Sequence, residues 1–228
     1  MHLLRTLALL VLVALAASGL VAPAAVAAET RLTIEGTPKR GIYADSTGPQ
    51  TTADLVRHRG TLTTTSGDPV PAAVVTLERK LAGQTEWVEL GNDETNAEGV
   101  YTFFSDIAGN ARYKVTYQEG TETVESGEAP LKAMRDFNAL LVEKERVAIL
   151  KGNINPGWDD KVVRWQKKAC RSCAWRTVDK ERTGDSGSWR FAGAYPPAGE
   201  KWRYRATIDG TQEFVRSFSA QLITTRER

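Results

Sequence analysis

The sequence predicts an all-β protein made of two tandem antiparallel β-sandwich domains that follow an N-terminal signal peptide. Three observations carry this prediction: a pattern that occurs twice, a period of two within each copy, and an apolar segment at the N-terminus. Each anchor of the repeated pattern lies 88 residues from its counterpart: Val75 and Val163, Trp87 and Trp175, Thr95 and Thr183, Gly99 and Gly187, Phe103 and Phe191. Because chance rarely preserves spacing over such a stretch, the pattern indicates two copies of one domain.

The local pattern within each copy is typical of strands. Val75 and Leu77 in the first copy, and Val163 and Trp165 in the second, alternate with polar neighbours. This period of two is the signature of a strand with one buried face. Closely spaced strands without intervening helical patterns favour antiparallel sandwiches over a parallel sheet.

Residues 1–28 have the features of a signal peptide. A basic start at Arg5 precedes the apolar run Leu7–Leu15, and small residues lie before a cleavage site near Ala28. Pro23 and its small neighbours interrupt the apolar character before it could span a bilayer of about 30 Å. We therefore expect a secreted chain without a membrane span after signal removal.

The boundary between the copies is expected at the short polar segment Gly127–Pro130, which gives a first domain of residues 29–128 and a second of residues 129–228. The segment Leu131–Lys151 fits either a helical face or strands, and the register of the repeat favours strands. A linker this short is expected to restrict motion between the domains without abolishing it.

Several motifs resemble known exported domains. The segment Glu78-Arg79, Trp87, the Thr-x-x-x-Gly-x-Tyr-x-Phe pattern from Thr95 and the Tyr-x-Val-x-Tyr pattern from Tyr113 resemble tandem bacterial immunoglobulin-like and transthyretin-like domains of exported actinobacterial proteins. Gly60-Thr-Leu followed by Gly67-Asp-Pro-Val-Pro resembles the opening of carboxypeptidase regulatory-like domains, as does the segment from Gly152 to Pro156. The resemblance implies an immunoglobulin-like fold and supplies no catalytic residues, because such folds host unrelated binding and structural roles.

Cys170 and Cys173 are the only cysteines in the chain. A redox Cys-x-x-Cys motif belongs at the start of a helix, whereas the repeat register places this pair at the tip of a hairpin. A zinc site would lack two ligands. In an oxidising exterior a local disulfide is the leading interpretation, with redox exchange and metal binding as alternatives. The small loop it closes would give modest stabilisation and stiffen the hairpin.

Catalytic patterns have little support, and neither a cofactor nor a metal is expected. His58 is the only histidine outside the signal peptide, and no nucleophile motif accompanies it, so the sequence favours a surface histidine on a strand. Adjacent acids such as Asp93-Glu94 and Asp159-Asp160 point apart on an extended chain and do not form a glycosidase pair. They could contribute to a calcium loop, but solvated turn acids are the simpler interpretation.

Acidic and basic residues nearly balance in the whole chain, with a net charge of +2. Clustered cations, which nucleic-acid binding requires, are not evident, so no nucleic-acid partner is expected. A local basic run is interpreted as the solvated face of a strand and its turn: Lys161, Arg164, Lys167, Lys168 and Arg171.

Aromatic residues suggest where binding could occur. Trp87 and Trp175 hold repeated strand positions and are predicted to lie in the core. Trp158, in a turn, and Trp202 are the candidates for ligand contact. The sequence thus predicts an exported non-catalytic structural or adhesion-like binding protein, with an envelope protein or polysaccharide as partner. The alternative is a carbohydrate-binding module acting at the cell envelope.

Overall fold

The computed structural model describes residues 29–35, 42–43, 55–144, 147–194 and 196–225. The predicted signal peptide, residues 1–28, lies outside them. Within the described residues the chain forms β-strands and one short 3-10 helix at Asp185–Gly187. The all-β prediction is confirmed, and the strands form two antiparallel sandwiches joined end to end.

The first sandwich consists of a three-stranded and a five-stranded sheet. The smaller sheet has the order β1 (Thr30–Glu35), β3 (Leu55–Thr64), β6 (Val100–Asp106). The larger sheet has the order β5 (Val88–Glu94), β4 (Val74–Leu81), β7 (Ala111–Glu119), β8 (Glu122–Glu125), and β9 (Ala129–Leu131) also pairs with β7. A short parallel pair joins β2 (Ile42–Tyr43) to β10 (Ala133–Met134).

The second sandwich repeats this plan. Its smaller sheet has the order β11 (Asp136–Lys144), β12 (Val147–Asn155), β15 (Trp189–Ala194). Its larger sheet has the order β14 (Arg176–Arg182), β13 (Val162–Lys168), β16 (Lys201–Ile208), β17 (Ser217–Phe218), and β18 (Leu222–Thr225) also pairs with β16. The ambiguous segment 131–151 is therefore extended wherever it is described, as the repeat register predicted.

The repeat extends to individual hydrogen bonds. In the first domain the Thr95 hydroxyl accepts from Ala73 N at 2.9 Å and donates to Val70 O at 2.7 Å. In the second, the Thr183 hydroxyl accepts from Lys161 N at 3.1 Å and donates to Trp158 O. These partners are again 88 residues apart, so each threonine forms the same hydrogen bonds to the segment that precedes the central strand.

The turn after each threonine requires glycine. Gly99 and Gly187 adopt φ values of +70° and +65°, a region that side chains disfavour. A Cβ atom at either position would also overlap a carbonyl oxygen, that of Leu62 or of Ile154. Both the conformation and the close approach therefore explain the repeated glycine.

Each sandwich encloses its own core. The first is built around Leu62, Val75, Leu77, Tyr101, Tyr113 and Val115, and the second around Leu150, Val163, Trp165, Trp189, Phe191, Tyr204 and Ile208. Trp165 lies at the centre of the second core, with its ring centroid 5.0 Å from Tyr204 and 5.6 Å from Phe191.

Two sequence predictions about side-chain burial are wrong. Trp87 and Trp175 are only half-buried and do not belong to the cores, because they extend over the outer side of the larger sheets. His58, predicted at the surface, is 0% exposed: it points inward from β3, bonds to Ser105 Oγ at 2.9 Å and packs against Tyr113. Alternation places it on the core face, between Val56 and Gly60.

The domains meet in a hydrogen-bonded junction. Because β9 still pairs with β7, the first sandwich extends to Leu131, and the linker is the short segment Lys132–Arg135. Asn110 Nδ2 donates to Gln212 O at 2.9 Å, and its Oδ1 accepts from Ala133 N at 3.0 Å. The junction therefore joins a loop of each domain to the linker.

Arg135 lies at the centre of this junction and is only 3% exposed. Its guanidinium lies 4.2 Å from the Phe214 ring centroid and 4.8 Å from that of Trp158, and its Nε donates to Pro156 O at 2.9 Å. Burial lowers the pKa of Arg135, while the nearby Glu213 carboxylate raises it. All of these partners belong to the second domain, so Arg135 fixes the end of the linker against that domain.

Candidate binding face

The outer side of the larger sheet in the second domain carries a dense group of cations. Alternation along β13, β14 and β16 directs every second side chain outward, away from the core residues Trp165 and Tyr204. We define the basic face by the cations that these strands and the loop before β17 direct to this side: Arg164, Lys168, Lys180, Arg182, Lys201, Arg203, Arg205 and Arg216. The described outward positions of the three strands carry no carboxylate.

Two aromatic rings hold several of these cations in place. The guanidinium of Arg205 lies 4.3 Å from the centroids of both Trp175 and Phe218. Lys168 Nζ lies 4.9 Å from the Trp175 centroid, and the Arg216 guanidinium 5.4 Å from that of Phe218. These five side chains form a continuous cation–π stack across the sheet, and such contacts orient cations that would otherwise be mobile.

Polar contacts complete the stack. Arg205 Nε donates to Gln166 Oε1 at 2.9 Å, and Arg216 Nε donates to Thr207 Oγ1 at 3.4 Å. Two loop carboxylates lie at the margin, where Asp209 pairs with Arg164 at 2.7 Å and Asp160 with Arg182 at 3.2 Å. Exposed pairs of this kind contribute little energy and leave the centre of the face basic.

The first domain has the tryptophan part of this stack, with a different charge balance. Lys80 and Lys114 lie 4.5 Å and 4.9 Å from the Trp87 centroid, in the places of Lys168 and Arg205. Lys114 also binds Glu78 at 3.2 Å and pairs with Glu125. Burial lowers the pKa of Lys114, but its hydrogen bonds to these two carboxylates outweigh burial and raise the pKa overall. Lys114 is thus neutralised within the domain.

The disulfide lies at the end of the hairpin that supplies two members of the stack. Cys170 and Cys173 are bonded, as predicted, and lie at the exposed tip between β13 and β14. Lys168 precedes the bridge and Trp175 follows it, and Lys168 Nζ donates to Arg171 O at 3.0 Å. The bridge therefore fixes the hairpin ends that bring this lysine and this tryptophan together.

The charge asymmetry also appears in the sequence halves. Residues 136–228 contain 18 basic and 12 acidic residues, a net charge of +6, whereas residues 1–135 contain 12 and 16, a net charge of −4. The near-neutral total of +2 conceals this division. Cations are therefore clustered in the second domain, which the balanced total does not indicate, and Arg164 and Lys168 of the basic run belong to this cluster.

The remaining cations were missed because they come from distant strands. Lys201, Arg203 and Arg205 alternate with Trp202, Tyr204 and Ala206, so one face of that strand is basic and the other buried. This alternation is the sequence pattern that indicates a basic strand face. No such pattern indicates Arg216, since its position depends on the fold of the loop before β17.

The two tryptophans predicted as ligand contacts lie elsewhere. Trp158 is 6% exposed and packs between the second core and Arg135. Trp202 is half-buried at the end of the same core, with Lys167 Nζ 3.6 Å from its ring centroid and its Nε1 donating to Glu200 at 3.0 Å. Neither residue belongs to the basic face, and ligand contact at either one stays a prediction.

The histidine and the acidic turns have structural roles. Burial lowers the pKa of His58 to about 4, so the ring is neutral at pH 7 and closed to solvent. Asp159 Oδ1 accepts from Gly187 N at 2.6 Å, which fixes the turn before β15. In the described part of the chain no group of three or more histidine, cysteine or acidic residues could hold a metal ion. Among the same residues, no helix is long and apolar enough to cross a membrane.

No protein-family model and no curated protein matches the sequence. Solved structures with a similar fold include the chicken interferon gamma receptor alpha chain, at 11% identity and a TM-score of 0.43, covering 75% of this chain and 93% of that one. A tetra-tandem repeat of the extending region of a large adhesion protein has 15% identity and a TM-score of 0.34, covering 86% and 50%. The D0–D1 domain of intimin has 14% identity and a TM-score of 0.31, covering 86% and 97%. No functional conclusion follows from similarities of this size.

Proposed function

We propose that this chain is an exported, non-catalytic, adhesion-like binding protein and that the basic face of its second domain is the contact surface. The observation that carries the proposal is the concentration of cations on one sheet face, aligned by the stack from Lys168 to Arg216. Oriented cations attract an acidic partner and lose little conformational entropy when they bind it.

Other features fit a binding role. Asn110 joins a loop of the first domain to the linker and to the second domain, so that the first domain acts as a spacer behind the contact surface. A disulfide at an exposed hairpin tip fits an oxidising compartment outside the cytoplasm. His58 serves the core of the first domain and cannot reach an external substrate.

The test is retention of the mature protein on cell-envelope fractions of the producing organism. The informative variant neutralises two neighbouring cations of the basic face, Lys168→Gln with Arg203→Gln. The matched control is Lys80→Gln with Arg112→Gln, which removes the same charges from equivalent strand positions of the first domain. We expect the first variant to lose most of its retention and the control to keep it. Equal retention of both variants would contradict the proposal.

A further inference from the structure

We infer that the ligand of the basic face is an acidic polysaccharide, a linear sugar chain that carries an anionic group on successive units. This inference rests on the proposed function, because it names the chemical class of the partner for the same face. Its basis is the arrangement of the cations, the occupation of the aromatic rings and the charge at the centre of the face.

The cations form rows. Lys201, Arg203 and Arg205 project from one strand at every second residue, about 7 Å apart. Across the sheet Arg203 is paired with Lys168, so a second cation lies on the neighbouring strand about 5 Å away. A linear polyanion laid along β16 can therefore meet several cations in succession, whereas a compact anion would engage only one or two.

The rings do not suit nucleic acid. Binding of single-stranded nucleic acid depends on bases that stack on free aromatic faces. Here the Trp175 ring contacts both Lys168 and Arg205, and the Phe218 ring contacts both Arg205 and Arg216. The rings support the cations, and the cations are the groups presented to the ligand.

The charge at the centre does not suit a folded protein partner. Protein interfaces place apolar residues at their centre and are depleted there in lysine, although they are enriched in arginine. The centre of this face consists of three adjacent cations, Lys168, Arg203 and Arg205, so it lacks the apolar centre of such an interface. An extended peptide would pair with a sheet edge, while these cations project from the flat side of strands that are hydrogen-bonded to neighbours on both sides. A hydrophilic, flexible polyanion fits this surface best.

The experiment measures binding of the mature, oxidised protein to oligouronate chains of defined length by titration calorimetry, with neutral dextran as the uncharged probe. We expect affinity to increase with chain length, to fall steeply as salt rises because the contacts are exposed charges, and to be absent for dextran. Lys168→Gln with Arg203→Gln should weaken binding at least tenfold, and the control Lys80→Gln with Arg112→Gln less than twofold. Sulfated and polyphosphate chains, added as separate arms, distinguish the source of the anionic group.

The disulfide gives a second test. The double variant Cys170→Ser with Cys173→Ser frees the hairpin that aligns Lys168 with Trp175, so we expect oligouronate affinity to fall severalfold while circular dichroism shows a folded protein. Unchanged affinity of the folded variant would contradict the role assigned to the stack.

Failure of this inference is distinguishable from failure of the proposed function. If polyglutamate or single-stranded DNA binds more tightly than oligouronate of the same charge, or if oligouronate does not bind, the polysaccharide inference is overturned. Retention on envelope fractions that still depends on Lys168 and Arg203 would then leave the proposed function intact. Equal retention of the two variants would overturn the proposed function whatever the oligouronate result.

Discussion

The two domains share one pattern of hydrogen bonds but differ in the charge on the outer side of the larger sheet. Ser126 in the first and Ser219 in the second each accept from a strand amide at 2.9 Å and donate to the following carbonyl at 2.9 Å. Even the bulge in the central strand falls at the same place, between Leu77 and Glu78 or between Trp165 and Gln166. Buried positions thus preserve this pattern, while the solvent-facing positions of the same strands differ.

The differences all change the charge of one face in the same direction. Glu78, Glu89, Glu94 and Glu125 of the first domain correspond by strand register to Gln166, Thr177, Arg182 and Phe218 of the second. Each exchange removes a carboxylate; Arg182 adds a cation to the basic face, and Phe218 adds an aromatic ring to the stack. The comparison teaches that this face can change its partner without changing the fold, because none of these residues belongs to a core.

Truncating a core residue should have the largest effect. Trp165→Ala removes a ring that is 3% exposed and packed against Tyr204 and Phe191, which should cost the second domain about 3–5 kcal/mol. Differential scanning calorimetry should show a lower melting temperature for the second domain. A melting profile equal to that of the parent would place Trp165 outside the core.

Acid should destabilise the first domain through His58. The pKa of His58 is about 4 in the folded state and 6.5 in the unfolded state, so the unfolded state binds the proton more readily. Stability from this group is complete above pH 6.5 and decreases as the pH falls toward 4, by about 3 kcal/mol in total. Chemical denaturation from pH 7 to pH 4 measures this loss.

The second domain supplies the control for this titration. The strand position of His58 is occupied there by Leu150, which is 0% exposed, so His58→Leu is the matched substitution. The variant should lose the part of the pH dependence between pH 6.5 and 4 that the histidine causes. An unchanged slope would show that carboxylates alone account for it.

Removing the guanidinium at the junction should destabilise the second domain. Arg135→Ala abolishes its hydrogen bond to Pro156 and its contacts with Trp158 and Phe214, at a cost of about 1.5–3 kcal/mol. We expect calorimetry to show a lower melting temperature for the second domain, where all of these partners lie. The exposed linker residue Lys132, changed to Ala, is the control and should leave the transitions in place.

The smallest effect is expected for a tryptophan of the stack. Trp175→Ala loses half-exposed cation–π contacts worth about 0.5–1 kcal/mol each, much less than Trp165→Ala, although the two residues differ only in the side of the sheet they cover. Thermal melting of both variants in parallel tests this contrast. A decrease in melting temperature for Trp175→Ala as large as that for Trp165→Ala would show that Trp175 contributes to the core.

The sequence was sufficient to predict the fold because its evidence is local and repeated. Period-two alternation around Val75 and Val163, together with the glycine turns, indicates the strands within each copy. Burial of His58 and exposure of Trp175 were not predictable by residue type, because each follows from the face on which strand register places it. The basic face required pairing of strands distant in sequence, and it emerges only when Lys168 and Arg203 are brought side by side.

The segment Val215–Phe218 has a mechanical consequence. Val215 N donates to Ala133 O at 2.8 Å and the Ser217 hydroxyl accepts from Arg135 N at 2.8 Å, while the intervening Arg216 contacts Phe218 on the opposite side. If a polymer bound at Arg216 is pulled, the force acts on the chain at this segment. The first bonds to resist the force would be those that hold the linker against the second domain, so part of the force would pass to the linker before the strands of that domain separate.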